Sequence, residues 1–263
     1  MRVKVLMENT PARPDVLTEH GLSLYIETRN HRLLFDMGQS DRFAQNARML
    51  NVNLRTIDTA ILSHGHYDHG GGLARFMAEN KVAPIYISKY AFEPHYSGAD
   101  RYIGLDVSLK NSPQFVTVAD YLSIDGELEL YSCNTLPRKY DTDSFGLSML
   151  SDSGMIPDDF RHEQYLLIHD GTHRVLVSGC SHKGILNIME WFQPDVLIGG
   201  FHFFKLDPAG NGKQALDQAA LVLGGYSTSY YTCHCTGMKQ YDYLKAQMGD
   251  KLHYLASGQV INL

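Results

Sequence analysis

The sequence is poor in most of what marks a specialised chain. It has four cysteines and one tryptophan in 263 residues, and no positive surplus: 23 Lys and Arg stand against 29 Asp and Glu, a formal charge of -6. Cysteines at 133, 180, 233 and 235 are too few and too uneven to staple a secreted domain, so reduced thiols and a cytoplasmic location are expected. A nucleic-acid grip by bulk electrostatics needs a basic excess, so no nucleic-acid partner is expected. No window approaches the ~20 apolar residues of a membrane span, and the opening MRVKVLMENTPARPDVL lacks the apolar run of a signal peptide. No membrane partner is expected either, and the charge pattern says nothing of oligomeric state. A local cationic pocket for a small anionic molecule stays compatible with all of this.

What is present is apolar material, 44% of residues, and thirteen histidines. Leu22–Ile26 and Arg32–Phe35 read as strands around a turn at 29–31, and a helix is expected over about 42–50. Thr59–Leu62 is a short apolar strand that runs into a polar stretch, 64–69. Glycines 70–72 then open a helix, and Ile85–Ile87 is the next strand. From about 90 to 156 prolines at 94, 113 and 137 break the pattern, and this segment is expected to be an insertion or lid. Tyr165–Ile168 and Val175–Val177 around Asp170-Gly171 predict a hairpin. Helices near 185–191, 214–223 and 241–248 and strands near 196–198, 230–232 and 260–261 follow. Strand-rich halves that each end in helices predict an α/β protein, a four-layer αββα sandwich in one domain spanning 1–263.

The densest chemistry lies in Ser63-His64-Gly65-His66-Tyr67-Asp68-His69-Gly70-Gly71. Four ligand-type side chains fall within six positions, after a buried strand and before a helix. Imidazole and carboxylate suit zinc, manganese or iron, and a loop on a strand end fixes their directions. Solvated loop residues would explain one such histidine, but not the whole array.

The array His64-x-His66-x-Asp68-His69-Gly70 resembles the signature of the metallo-β-lactamase fold superfamily, over nearly the whole chain. The strings Glu19-His20-Gly21-Leu22-Ser23, Ser178-Gly179-Cys180-Ser181-His182-Lys183-Gly184-Ile185, Gly199-Gly200-Phe201-His202 and His234-Cys235-Thr236-Gly237 narrow this to the branch labelled 7,8-dihydropterin-6-methyl-4-(β-D-ribofuranosyl)aminobenzene-5′-phosphate synthase. The resemblance implies one or two divalent metal ions, zinc foremost. It gives His64 and His66 to a first ion and Asp68, His69 and His234 to a second. Cys180 stands where most relatives carry a bridging aspartate, either as a thiolate ligand or as a small buried residue. The superfamily's histidine ahead of the second hairpin has one positional candidate, His162, whose context does not match; His182 is expected to replace it. Asp36 and Glu19 are expected to support the ligands from behind.

The expected chemistry is metal-dependent hydrolysis of a small anionic substrate, a phosphate ester foremost, with Asp68 and His202 as catalytic groups. His20, His202 and Arg138 are the expected substrate contacts, and Cys233 and Cys235 are expected to be small core residues. Two alternatives stand beside this: a synthase-like condensation, and a binding protein that keeps the metal without turnover.

Overall fold

Alternation along short apolar strands sends successive side chains to opposite faces, and here both faces are buried. The computed structural model describes residues 1–98 and 100–263. Its first part holds β1 (Arg2–Met7), β2 (Ser23–Glu27), β3 (Arg32–Phe35), α1 (Arg42–Met49), β4 (Thr59–Ile61), α2 (Tyr67–Gly70), α3 (Leu73–Glu79) and β5 (Ile85–Ser88). Next come β6 (His95–Ser97), β7 (Arg101–Tyr102), β8 (Phe115–Val118), β9 (Tyr121–Ser123), β10 (Leu128–Tyr131), β11 (Leu147–Ser151) and β12 (Gly154–Pro157). The last part holds β13 (Tyr165–Asp170), β14 (His173–Val177), α4 (Ile185–Phe192), β15 (Val196–Ile198), α5 (Lys213–Gly225), β16 (Ser229–Thr232), α6 (Met238–Met248), β17 (Leu252–Tyr254) and β18 (Val260–Asn262).

Two seven-stranded sheets form, in the orders β18-β1-β2-β3-β4-β5-β8 and β17-β16-β15-β14-β13-β10-β9. Leu33, Phe35 and Ile61 of the first pack with Leu166, Ile168, Val175 and Val177 of the second, so the sheets share one core. Leu34 and Ala60 face the other way, onto Phe43 and Ala47 of α1 and Phe76 of α3. Leu167, Leu176 and Leu197 likewise meet Ile188 of α4, Leu216 of α5 and Leu244 of α6. This is the αββα sandwich. Phe35 is fully buried in the shared core, where truncation to alanine costs ~3–5 kcal/mol.

The segment from 90 to 156, expected to be one insertion or lid, is divided among three sheets. β8 is an edge of the first sheet and β9 and β10 close the second. Only β6, β7, β11 and β12 form a separate four-stranded sheet. Among the described residues no helix is long and apolar enough to cross a membrane.

The topology decides where the chemistry sits. β3, β4 and β5 run parallel in one sheet, as do β14, β15 and β16 in the other. Their C-terminal ends carry Asp36, the 63–69 stretch, Cys180 and His182, His202, and His234, and parallel strands characteristically present ligand-binding loops at that end.

Candidate metal centre

Tight backbone approaches bring these loops together. A Cβ at Gly65 would collide with the carbonyl oxygen of Ala91, so only glycine lets His64 and His66 flank that turn. Asp36, Ser181, His202 and His234 all have left-handed backbones, with φ of 59°, 58°, 57° and 49°. Such conformations cost of order 1–3 kcal/mol each in non-glycine residues and persist where surrounding structure enforces them.

Hydrogen bonds then aim the rings. Ser63 Oγ donates to Asp36 Oδ2 at 2.7 Å, so it accepts from His64 Nδ1 at 2.8 Å. His69 Nδ1 donates to Asp36 Oδ2 at 2.7 Å, and His234 Nδ1 donates to Asn9 Oδ1 at 2.8 Å. These proton positions follow from the network. A neutral ring so bonded keeps its Nε2 as a lone pair; burial works against a charge on His69, but Asp36 and Asp68 raise its pKa, so that ring offers its lone pair once it gives up a proton. His64 Nε2 lies 3.3 Å from His182 Nε2, and His69 Nε2 lies 3.2 Å from Cys180 Sγ. His20 Nε2 and His234 Nε2 each lie 3.2 Å from Asp68 Oδ2. His234 Nε2 has no well-aimed hydrogen-bond partner, nor has buried His66 Nε2. A lone pair against a carboxylate is repulsive unless a cation lies between them, and the donor set of imidazole, carboxylate and thiol suits a borderline divalent ion. The residues present fit a metal.

Burial and the neighbouring imidazoles push His64, His66 and His182 well below the usual histidine range, so they are neutral at pH 7, the form a metal needs. Burial alone would raise Asp68, but protons on His69, His20 and His234, whose part a bound cation would take, overcome it and hold the carboxyl well below its usual range.

The remaining expected residues divide. His202 joins Cys180 and His182 in a compact group, its ring centroid 4.3 Å from that of His182. Asp36 supports His64 and His69, as described. Among the described residues the Glu19 carboxylate makes no hydrogen bond to a histidine; it accepts from Gln39 N, Ser40 N and Ser40 Oγ, and so braces the loop after β3. Arg138 is not at the centre. Its guanidinium donates to Asp159 O at 2.8 Å and Thr142 Oγ1 at 3.3 Å, over a separate surface hollow with Asp141 and Asp143. The cations on the cavity wall are Arg101 and Lys205, in a space of about 310 Å³ that His66, Asp68, Cys180, His182, His202 and His234 also line. Arg101 comes from the small sheet, which with Ser97 and Leu147 roofs this cavity. Cys235, expected to be a small core residue, also lines it, because the chain leaves β16 for a 3₁₀ turn at His234–Thr236 and strand alternation does not carry it to the opposite face from His234. Cys233 does lie in the core.

Sequence reasoning missed Glu8, Asn9 and Glu163. Glu8 Oε1 accepts from His234 N at 2.7 Å, and Glu163 Oε1 accepts from His182 N at 2.7 Å. It also missed a second cluster of His66, His95, Asp158 and His162, all buried, with candidate ligand atoms within 4.8 Å of one another. There Asp158 Oδ2 accepts from His95 Nδ1 at 2.7 Å, and His162 Nδ1 accepts from Gly65 N at 2.9 Å.

Residues 18–213 match the family described as the metallo-beta-lactamase superfamily. The chain is 29% identical to an uncharacterised protein of Methanocaldococcus jannaschii, over 90% of this chain and 91% of that one. It is 28% identical to the 7,8-dihydropterin-6-methyl-4-(beta-D-ribofuranosyl)-aminobenzene-5′-phosphate synthase of the same organism, over 93% and 90%. A solved structure described as a metal-dependent hydrolase of the beta-lactamase superfamily superposes with a TM-score of 0.83 at 26% identity, over 100% of this chain and 99% of that one.

Proposed function

This chain belongs to the metallo-beta-lactamase superfamily, and from that premise we propose that it is a metal-dependent hydrolase of a small anionic ester, a phosphate ester foremost. The observation that carries the reading is the set of oriented imidazoles of His64, His69 and His234 packed on Asp68, Cys180 and His182, residues that line one cavity together with Arg101 and Lys205. His64, His66 and His182 would hold one divalent ion, and Asp68, His69 and His234 a second, with Cys180 adjoining both groups; zinc leads, with manganese or iron as alternatives. Ions bound there supply Lewis-acid stabilisation of developing charge and lower the pKa of a water towards ~7.

The chain's own groups do the rest. Asp68, kept ionised, orients the attacking water as an acceptor. Arg101 and Lys205 pair with the anion's oxygens by charge-assisted hydrogen bonds. His202, whose buried Nδ1 has no partner, holds a substrate oxygen, and half-exposed His20 guards the rim beside Asp68.

Elemental analysis of the purified protein, with a screen of small phosphate esters, tests this. Metal in stoichiometric amount and turnover lost in His66→Ala/Asp68→Ala are expected. Unchanged metal in that variant, or cleavage of lactams alone or long RNA alone, contradicts it. The similarity to the synthase favours a second reading, condensation on a pterin or ribosyl phosphate with Arg101, Lys205 and His202 on the phosphate. Product analysis that finds a new bond between two substrates, and no ester hydrolysis, would select it.

A further inference from the structure

We propose that one amide, Asn9, sorts the two histidines that face Asp68. It makes His234 a metal ligand, and it makes His20 a hydrogen-bond donor that orients the Asp68 carboxylate and stays off the ion. The proposal rests on the reading above in which Asp68 and His234 hold an ion, and it does not depend on which ester is cleaved.

By distance alone the two rings are equivalent. His20 Nε2 and His234 Nε2 each lie 3.2 Å from Asp68 Oδ2, and the three side chains form one candidate ligand group. Their outward nitrogens separate them. Met7 pairs with Ser23 across β1 and β2, so the chain beyond the pair, at Asn9 and at 20–21, stays side by side. Gly21 N donates to Asn9 Oδ1 at 3.3 Å. A backbone N–H can only donate, so the amide oxygen is the atom that faces it. The same oxygen lies 2.8 Å from His234 Nδ1, which therefore carries the proton and leaves a lone pair on Nε2. The amide nitrogen lies 3.4 Å from His20 Nδ1. An NH2 group has no lone pair to offer, so His20 Nδ1 accepts, and the ring's proton sits on Nε2 beside Asp68 Oδ2. Two rings at one distance from one oxygen thus present opposite groups. The lone pair of His234 calls for a cation, whereas the N–H of His20 satisfies the carboxylate without one. The surrounding chain holds this arrangement. Glu8 Oε1 accepts from His234 N at 2.7 Å and its Oε2 from Thr10 N at 2.6 Å, which closes the turn around Asn9 and ties it to His234. Leu22 N donates to Asp68 O at 3.2 Å, and a Cβ at Gly21 would collide with that carbonyl oxygen. The segment that carries His20 therefore lies directly on the backbone of Asp68.

Chelator competition and the visible spectrum of the cobalt-loaded protein test the sorting. His20→Ala should weaken metal binding by the ~10–100-fold that follows loss of a partner orienting a ligand. His20→Gln should recover most of that loss, because glutamine Nε2 carries N–H donors at a comparable reach. Neither variant should shift the cobalt absorption bands, since no coordinating atom is lost. His234→Gln should shift the bands and recover no affinity. Asn9→Asp offers an acceptor to both rings, and Asn9 is exposed, so the change leaves the core intact. His20 then takes its proton on Nδ1 and turns a lone pair to Asp68. The bands should shift in Asn9→Asp and return when His20→Gln is added. Bands that shift in His20→Gln alone, affinity that His20→Gln fails to recover, or bands indifferent to Asn9→Asp would overturn the sorting and leave the metal reading standing. No cobalt bound by the unsubstituted protein would overturn both.

Discussion

Two clusters of buried histidine and aspartate meet at His66, and they differ in hydrogen bonding: in the rear one the carboxylate is taken by His95 and the inward lone pair of His162 is spent. In the front cluster, His64, His69 and His234 give their Nδ1 protons to oxygen and turn Nε2 towards His182, Cys180 and Asp68, at 3.2–3.3 Å, on the cavity wall. Behind it, His95 Nδ1 and Asp158 Oδ2 lie 2.7 Å apart, a separation that contains a proton. His162 Nδ1 is used as an acceptor by Gly65 N–H, so a neutral His162 carries its proton on Nε2 and has no lone pair there to offer. Burial and His95 push His162 down to about 4, which keeps it neutral at pH 7. The difference teaches that residue type and proximity make a candidate, while the partner of the outward nitrogen decides whether the inward one can ligate.

The comparison can be broken most forcefully at the array itself. His66→Ala with Asp68→Ala should take bound metal from stoichiometric to background by elemental analysis, with the fold retained by circular dichroism. Asp36→Asn removes the charge that orients His69 and, through Ser63, His64; chelator competition should show affinity falling ~10–100-fold. Asp158→Asn, in the rear cluster, should leave metal stoichiometry unchanged and instead lower stability by ~2–4 kcal/mol in urea titration, because a buried ionised group leaves its hydrogen-bond partners behind.

The smallest effect belongs to a histidine at neither cluster. His31 Nε2 lies 2.6 Å from Asp125 and Nδ1 lies 3.1 Å from Asp58, linking turns at the edges of the two main sheets. Partial burial works against its charge, but the two aspartates prevail and raise its pKa. Its stabilisation is then fully present below the unfolded value near ~6.5 and is lost as pH rises through the higher folded value. With both carboxylates substantially exposed, the gain should be ~1 kcal/mol or less. His31→Gln should flatten that part of the stability–pH curve.

The legibility of the chain follows sequence distance. Four ligand-type residues lie within His64–His69, and one strand end positions them, so the array was readable without a structure. The long hairpin strands β13 and β14 and the helices α1, α4 and α5 were readable for the same reason, since their periodicity is local. β1 was not read as a strand because Lys4 interrupts its apolar pattern; its stem is buried and Nζ reaches Leu50 O at 2.9 Å. The strands of the small sheet run to five residues or fewer and exist through partners such as Leu147 with Ser97. Arg101 reaches the cavity through such a pairing, and Glu163 and Asp158 meet His182 and His95 across long sequence separations, so no local signal announced them; Lys205 lies on the same loop as His202. Arg138 was a reasonable expectation by charge, and the turn at 138–142 carries it elsewhere.

Anomalous diffraction at the zinc edge from crystals of the metal-loaded protein tests the account most directly. It predicts density among His64, His66 and His182 or among Asp68, His69 and His234, within ~2.0–2.3 Å of their ligand atoms, and none between His95, Asp158 and His162. A peak in the rear cluster, or none in the cavity of a protein that retains metal by elemental analysis, would contradict it.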